Sequence, residues 1–156
     1  MQQSINQTAV SATLHCLTGC AMGEVLGLVI GESFGWSNVQ TIILSVALAF
    51  VFGYTLSILP LLKARMALGA ALSLVLAADT LSIITMELVD NAVMALVPGA
   101  MEAGLVNPLF WTSMSVALAA AFVAAFPVNR YLLLRGKGHA LMHHAHDQWS
   151  KEMHHQ

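Results

Sequence analysis

Between His15 and Gly35 the chain reads HCLTGCAMGEVLGLVIGESFG, with glycine at every fourth position: Gly19, Gly23, Gly27, Gly31 and Gly35. The row beside them carries Cys16, Cys20 and Glu24. Residues four apart on an α-helix stack on one face, drifting by about 40° per step. The glycines therefore form a shallow groove, edged by two thiols and a carboxylate. In water each glycine would cost such a helix about 1 kcal/mol relative to alanine. In a bilayer, small residues let a second helix approach closely, so Gly19, Gly23, Gly27 and Gly31 read as the packing seam of a membrane helix.

Composition agrees. The chain has 156 residues, 58% hydrophobic and 9% charged, with mean hydropathy +0.75. Soluble domains carry about 25% charged residues. The apolar material divides into four runs, each near the roughly 20 helical residues that cross a hydrocarbon core. The expected fold is all-α, an integral membrane four-helix bundle over 1–134, with spans at about 12–34, 39–61, 67–97 and 108–134 and a His-rich cytoplasmic tail at 135–156. Residues 1–14 hold no Lys or Arg, so the first helix is expected to serve as a retained insertion signal. No basic, aromatic stretch points to nucleic acid.

Ser11 or Thr13 can cap the first span, and Trp36 sits where an interfacial aromatic belongs. The second span offers Thr41, Ser45, Tyr54, Thr55 and Ser57 and reads as scaffold, ending near Pro60. The third covers about 46 Å at 1.5 Å per residue and places Asp79, Met86 and Asp90 within about 40° of one another, with Glu87 beside them. Pro98-Gly99 stops it. The fourth begins near Pro108, a residue suited to a first helical turn, and Trp111 anchors one end. Pro127 should kink it and free a carbonyl close to Asn129.

All six Lys and Arg follow span two or end or follow span four. The positive-inside rule then places both termini in the cytoplasm.

Four carboxylates, Glu24, Asp79, Glu87 and Asp90, fall at membrane depth with no basic residue beside them. Each costs about 2.5–3.5 kcal/mol at a helix centre, so they must be protonated, hydrated or cation-bound. Asp90, next to Asn91, also suits the outer surface. With Met86 and Asn129 these residues form a candidate ion pathway. His15, Cys16, Cys20 and Met22 offer imidazole, thiol and thioether donors for copper or zinc. Cys16 and Cys20 stand about 6 Å apart at Cβ on a helix, too far for a disulfide, and would also serve as ordinary small buried residues. The tail adds His139, His143, His144, His146, His154 and His155, a tract that suits metal capture or a pH-sensitive surface helix. No CxxC, HExxH, phosphate loop or Ser-His-Asp order supports an enzyme.

The segments His15-Cys16-Leu17-Thr18-Gly19-Cys20, Asp79-Thr80-Leu81-Ser82, Met86-Glu87-Leu88-Val89-Asp90-Asn91 and Pro127-Val128-Asn129-Arg130, followed by Gly136-Lys137-Gly138-His139-Ala140, resemble a bacterial domain-of-unknown-function family of small four-helix membrane proteins. The resemblance covers about residues 14–146 and implies the four-helix membrane fold, with the choice of metal tilted slightly toward copper. The functional expectation is a small homo-oligomeric transporter or channel for a transition-metal cation, copper before zinc. A proton or alkali-cation channel and a non-transporting membrane metallochaperone or assembly factor are the alternatives.

Overall fold

The computed structural model describes the backbone of residues 2–63, 65 and 67–153, with side chains for 5–59, 62–63, 65, 67–69, 72–73 and 75–135. Four helices follow in order: α1 Gln2–Phe34, α2 Asn38–Lys63, α3 Leu68–Leu96 and α4 Pro108–Met153.

Local chemistry sets the helix ends at one side of the bundle. Gly35 adopts φ +63, and the amides of Trp36 and Gly35 bond the carbonyls of Gly31 and Glu32. This is a Schellman ending, in which the left-handed residue wants no Cβ. Gly35 thus leaves the packing row to act as a cap. Ser37 and Gln40 bond reciprocally to open α2 as a capping box. Asn107 Oδ1 accepts from the Leu109 amide just before Pro108, which takes the first helical position as expected.

α1 begins at Gln2, about ten residues before the expected cap. The polar stretch ahead of Ser11 contains neither Gly nor Pro to stop a helix. Thr13 does not cap; its hydroxyl donates to the Ala9 carbonyl at 2.7 Å, satisfied within the helix. α4 likewise runs on through Pro127 and the tail to Met153. The side chains of His139, His143, His144 and His146, and all of His154 and His155, lie outside the described residues.

The glycine seam is filled from within the chain. A Cβ on Gly19 would fall 2.6 Å from Gly53 Cα, one on Gly23 2.6 Å from Ala49 Cα, and one on Gly27 2.7 Å from Ser45 Cα; Gly31 meets the Thr41 side chain. Going up α1 by fours thus goes down α2 by fours, an antiparallel pairing of two small-residue rows at backbone contact. α2 therefore supplies half of a seam, where sequence suggested only scaffold.

α4 packs on α3 and α1, and α3 also reaches α2. Across the bundle, α1 and α3 touch along one diagonal, while α2 and α4 make no contact among the described residues. That diagonal sets the Cys16, Cys20 and Glu24 face of α1 against the acidic face of α3. Two apolar clusters flank it. One joins Cys16, Cys20, Ala49, Ile83, Met86, Ala121 and Ala125. The other, nearer the loops, gathers around Met94, Phe110, Met114 and Ala117.

Among the described residues, three helical segments have the length and apolar composition to cross a membrane: Ile5–Phe34, Asn38–Leu59 and Pro108–Arg135. α3 carries Asp79, Glu87 and Asp90, and all three are turned inward. Its outward surface is Leu72, Leu76, Leu81, Ile84 and Leu88. The bundle thus shows lipid an apolar exterior and keeps its carboxylates inside, the reverse of a soluble protein.

Candidate functional site

Between the α1–α2 and α3–α4 loops a cavity of about 210 Å³ opens into the bundle. Glu32, Trp36 and Glu102 line it toward the loops, and Glu24 and Asp90 line it within. Tight α1–α2 packing holds Glu24 in place, and the α1–α3 diagonal brings Asp90 beside it. Asp90 is 4% exposed, and its Oδ1 has no hydrogen-bond partner.

Deeper along the same diagonal the polar groups continue as a ladder. Glu87 stands beside Cys20. Next, Cys16 lies beside Ser57 of α2 and Ser82 of α3, and Ser57 also lies beside Asp79. Both thiols are free and buried. Glu24 Oε1, both Glu87 Oε atoms, Asp79 Oδ2 and Ser82 Oγ are buried without a hydrogen-bond partner, like Asp90 Oδ1. Each such group costs about 1–3 kcal/mol if left bare. The described basic residues Lys63, Arg65, Arg130 and Arg135 all lie toward the end of the bundle opposite the α1–α2 and α3–α4 loops.

At that remote end the bundle is closed by polar contacts between α1 and α4. Asn129 Nδ2 donates to Thr13 Oγ1 at 2.9 Å, both residues being buried. Arg130 Nε donates to Asn6 Oδ1 at 2.9 Å. Asn129 thus binds across helices, rather than to a carbonyl freed by Pro127. Asn129→Ala should lower stability by about 1–3 kcal/mol, read by thermal melting in detergent, because it strips a buried bridge and leaves a space.

The expected metal donors separate. Cys16, Cys20 and Met86 share one buried cluster. Met22 faces outward at 45% exposure, two positions round the helix from Cys20. His15 is exposed, its Nδ1 paired with the Ser11 carbonyl at 2.7 Å, though it stands within electrostatic reach of Asp79. Among the described residues, no three of His, Cys, Asp and Glu gather closely enough to hold a metal ion in this conformation. Met86 is the soft donor that lies with the thiols, and Glu87 the hard one.

Some members of the site have no distinctive spacing in sequence. Ser57 and Ser82 are ordinary small helix residues until α2 and α3 bring them to Cys16. The row Thr41, Ser45, Ala49, Gly53 was readable as a four-residue repeat of small side chains.

Residues 6–138 match the family described as a domain of unknown function, DUF4396. The chain belongs to this family. The matched span holds the whole ladder and the Asn129 bridge, and stops one residue before His139. The DUF4396 unit is thus the four-helix bundle without the tail histidines. No curated protein and no solved structure matches the chain.

Proposed function

We propose that this DUF4396 protein is a carrier or channel, not an enzyme, that moves a transition-metal cation, copper or zinc, across the bacterial inner membrane. The supporting observation is the ladder itself: buried carboxylates without basic partners lead from an open cavity to two thiols, with Glu87 beside Cys20. A hydrated cation meets oxygen ligands first, and soft donors after it has shed water. The described basic residues lie at the end away from the cavity, and by the positive-inside rule this favours a cavity facing outside with both termini in the cytoplasm. Because α2 fills the glycine seam, assembly into a homo-oligomer would use the other helix faces.

Purified protein in vesicles containing a metal-sensitive dye provides the test. Glu87→Gln keeps the shape of the side chain and removes the charge at the step between carboxylates and thiols. It should slow metal uptake at least about tenfold, equivalent to about 1.4 kcal/mol on the barrier. Uptake at the wild-type rate would sink the reading.

The absence of a three-donor grouping among the described residues favours a second reading, a proton or alkali-cation path with the thiols as packing. Under it, proton or potassium flux survives loss of both cysteines. A membrane metallochaperone would hold metal at the thiols yet show no uptake in the same vesicles.

A further inference from the structure

The cavity has a second donor set that the ladder does not use. Met94 from the end of α3, Met101 from the α3–α4 loop and Met114 from the second turn of α4 all line it, together with Glu24 and Asp90. These methionines are separate in sequence and meet only because α3 and α4 pack at their loop ends. Met94 and Met114 are 8% and 4% exposed, so their sulfurs are held by the fold rather than free at the surface. Asp90 lines the same space, nine-tenths buried, with one oxygen lacking a partner.

The geometry points to a cuprous-ion site in this cavity, formed by the thioethers of Met94, Met101 and Met114 with the carboxyl of Asp90 or Glu24. Thioethers are soft, neutral ligands that select Cu(I), and a hard or borderline divalent ion gains little from them. Three neutral sulfurs leave a single positive charge, which one carboxylate balances. The thioether also needs no deprotonation, so it can bind where a thiol would first have to lose a proton. Packing alone would explain three methionines in a core, but a buried carboxyl pair, Asp90 beside Glu24, with one oxygen on each lacking a partner, is not what an apolar gap-filling cluster requires. The site rests on the transport reading by naming its cargo: Cu(I), captured before the ladder.

The test uses the full chain in detergent with Cys16→Ser and Cys20→Ser, so that any copper–sulfur contact must come from methionine. Cu(I) is added without oxygen against a competing chelator, and X-ray absorption at the copper edge reads the ligand atoms. Copper–sulfur scattering is expected in this background. It should be lost when Met94→Leu, Met101→Leu and Met114→Leu are added, with affinity falling beyond the roughly 10- to 100-fold that loss of an outer-shell partner costs. Leucine nearly conserves volume, and helicity by circular dichroism checks the fold. Should the triple variant not fold, Met101→Leu alone, at a partly exposed loop position, must still weaken Cu(I) binding. Copper bound only through nitrogen or oxygen, or sulfur scattering that survives the leucine variants, would overturn the site. Vesicle uptake separates the two proposals. Methionine-bound copper without metal flux supports the site and removes the transport reading, whereas flux without methionine ligation overturns the site and leaves transport standing.

Discussion

Gly23→Leu should lower the melting temperature of the detergent-solubilised protein by about 10 °C or more, and reduce the yield of monodisperse material. A Cβ at this position would lie 2.6 Å from Ala49 Cα. Overpacking a core that can adjust costs about 1–3 kcal/mol. Here the obstacle is backbone, so relief requires α1 and α2 to separate, which also strips the contacts at Gly19, Gly27 and Gly31. For a chain of this size about 3 kcal/mol corresponds to roughly 6–12 °C. Gly69→Leu is the control, because a Cβ there meets no described atom within 4 Å. Equal melting of the two variants would show that the seam does not hold the bundle together. A lowered melt for Gly23→Leu alone would also separate packing from chemistry, since no glycine in the row can ligate a metal.

The second large effect is chemical. Cys16→Ser with Cys20→Ser should abolish the thiolate-to-metal charge-transfer absorption seen on loading the protein with Cu(I) or Cd(II), while helicity stays unchanged. The thiols are 0% and 2% exposed, and Met86 shares their cluster. Serine is slightly smaller, and its hydroxyl finds Ser57, Ser82 or Glu87 nearby, so the fold has polar partners for the replacement. The readout is specific for sulfur anions, which keeps the tail histidines and the cavity methionines out of the signal. Wild-type protein that shows no such absorption would assign the thiols to packing and favour the proton or alkali-cation path.

Much of this architecture follows from local periodicity. Apolar runs near 20 residues, breaks at Gly35 and Pro98-Gly99, and Pro108 at a helix start are properties of single segments, and they define the four helices. The inward face of α3 is equally local: Asp79, Met86, Glu87 and Asp90 share one side by helical geometry, and the buried positions agree. The start of α1 was less legible, because polar residues without Gly or Pro extend a helix as readily as they cap it.

Pairing between helices is a different kind of information. The glycine row of α1 announces a close neighbour, but a groove in one helix is compatible with any small-residue row, on the same chain or on another copy. Only tertiary packing chose Thr41, Ser45, Ala49 and Gly53 of α2 as the match. The same holds for the site. Sequence named Glu24, Asp79, Glu87, Asp90, Cys16 and Cys20 because charge and thiol at membrane depth are costly or reactive wherever they sit. It also named Met22, which the helix turns outward, and it passed over Met94, Met101 and Met114, which look like core residues until α3 and α4 converge. Composition and period thus establish a four-helix membrane protein with acids inside. The α1–α3 diagonal, which joins carboxylates to thiols, and the cavity that gathers three methionines arise from contacts between distant segments, whose energies no single helix contains.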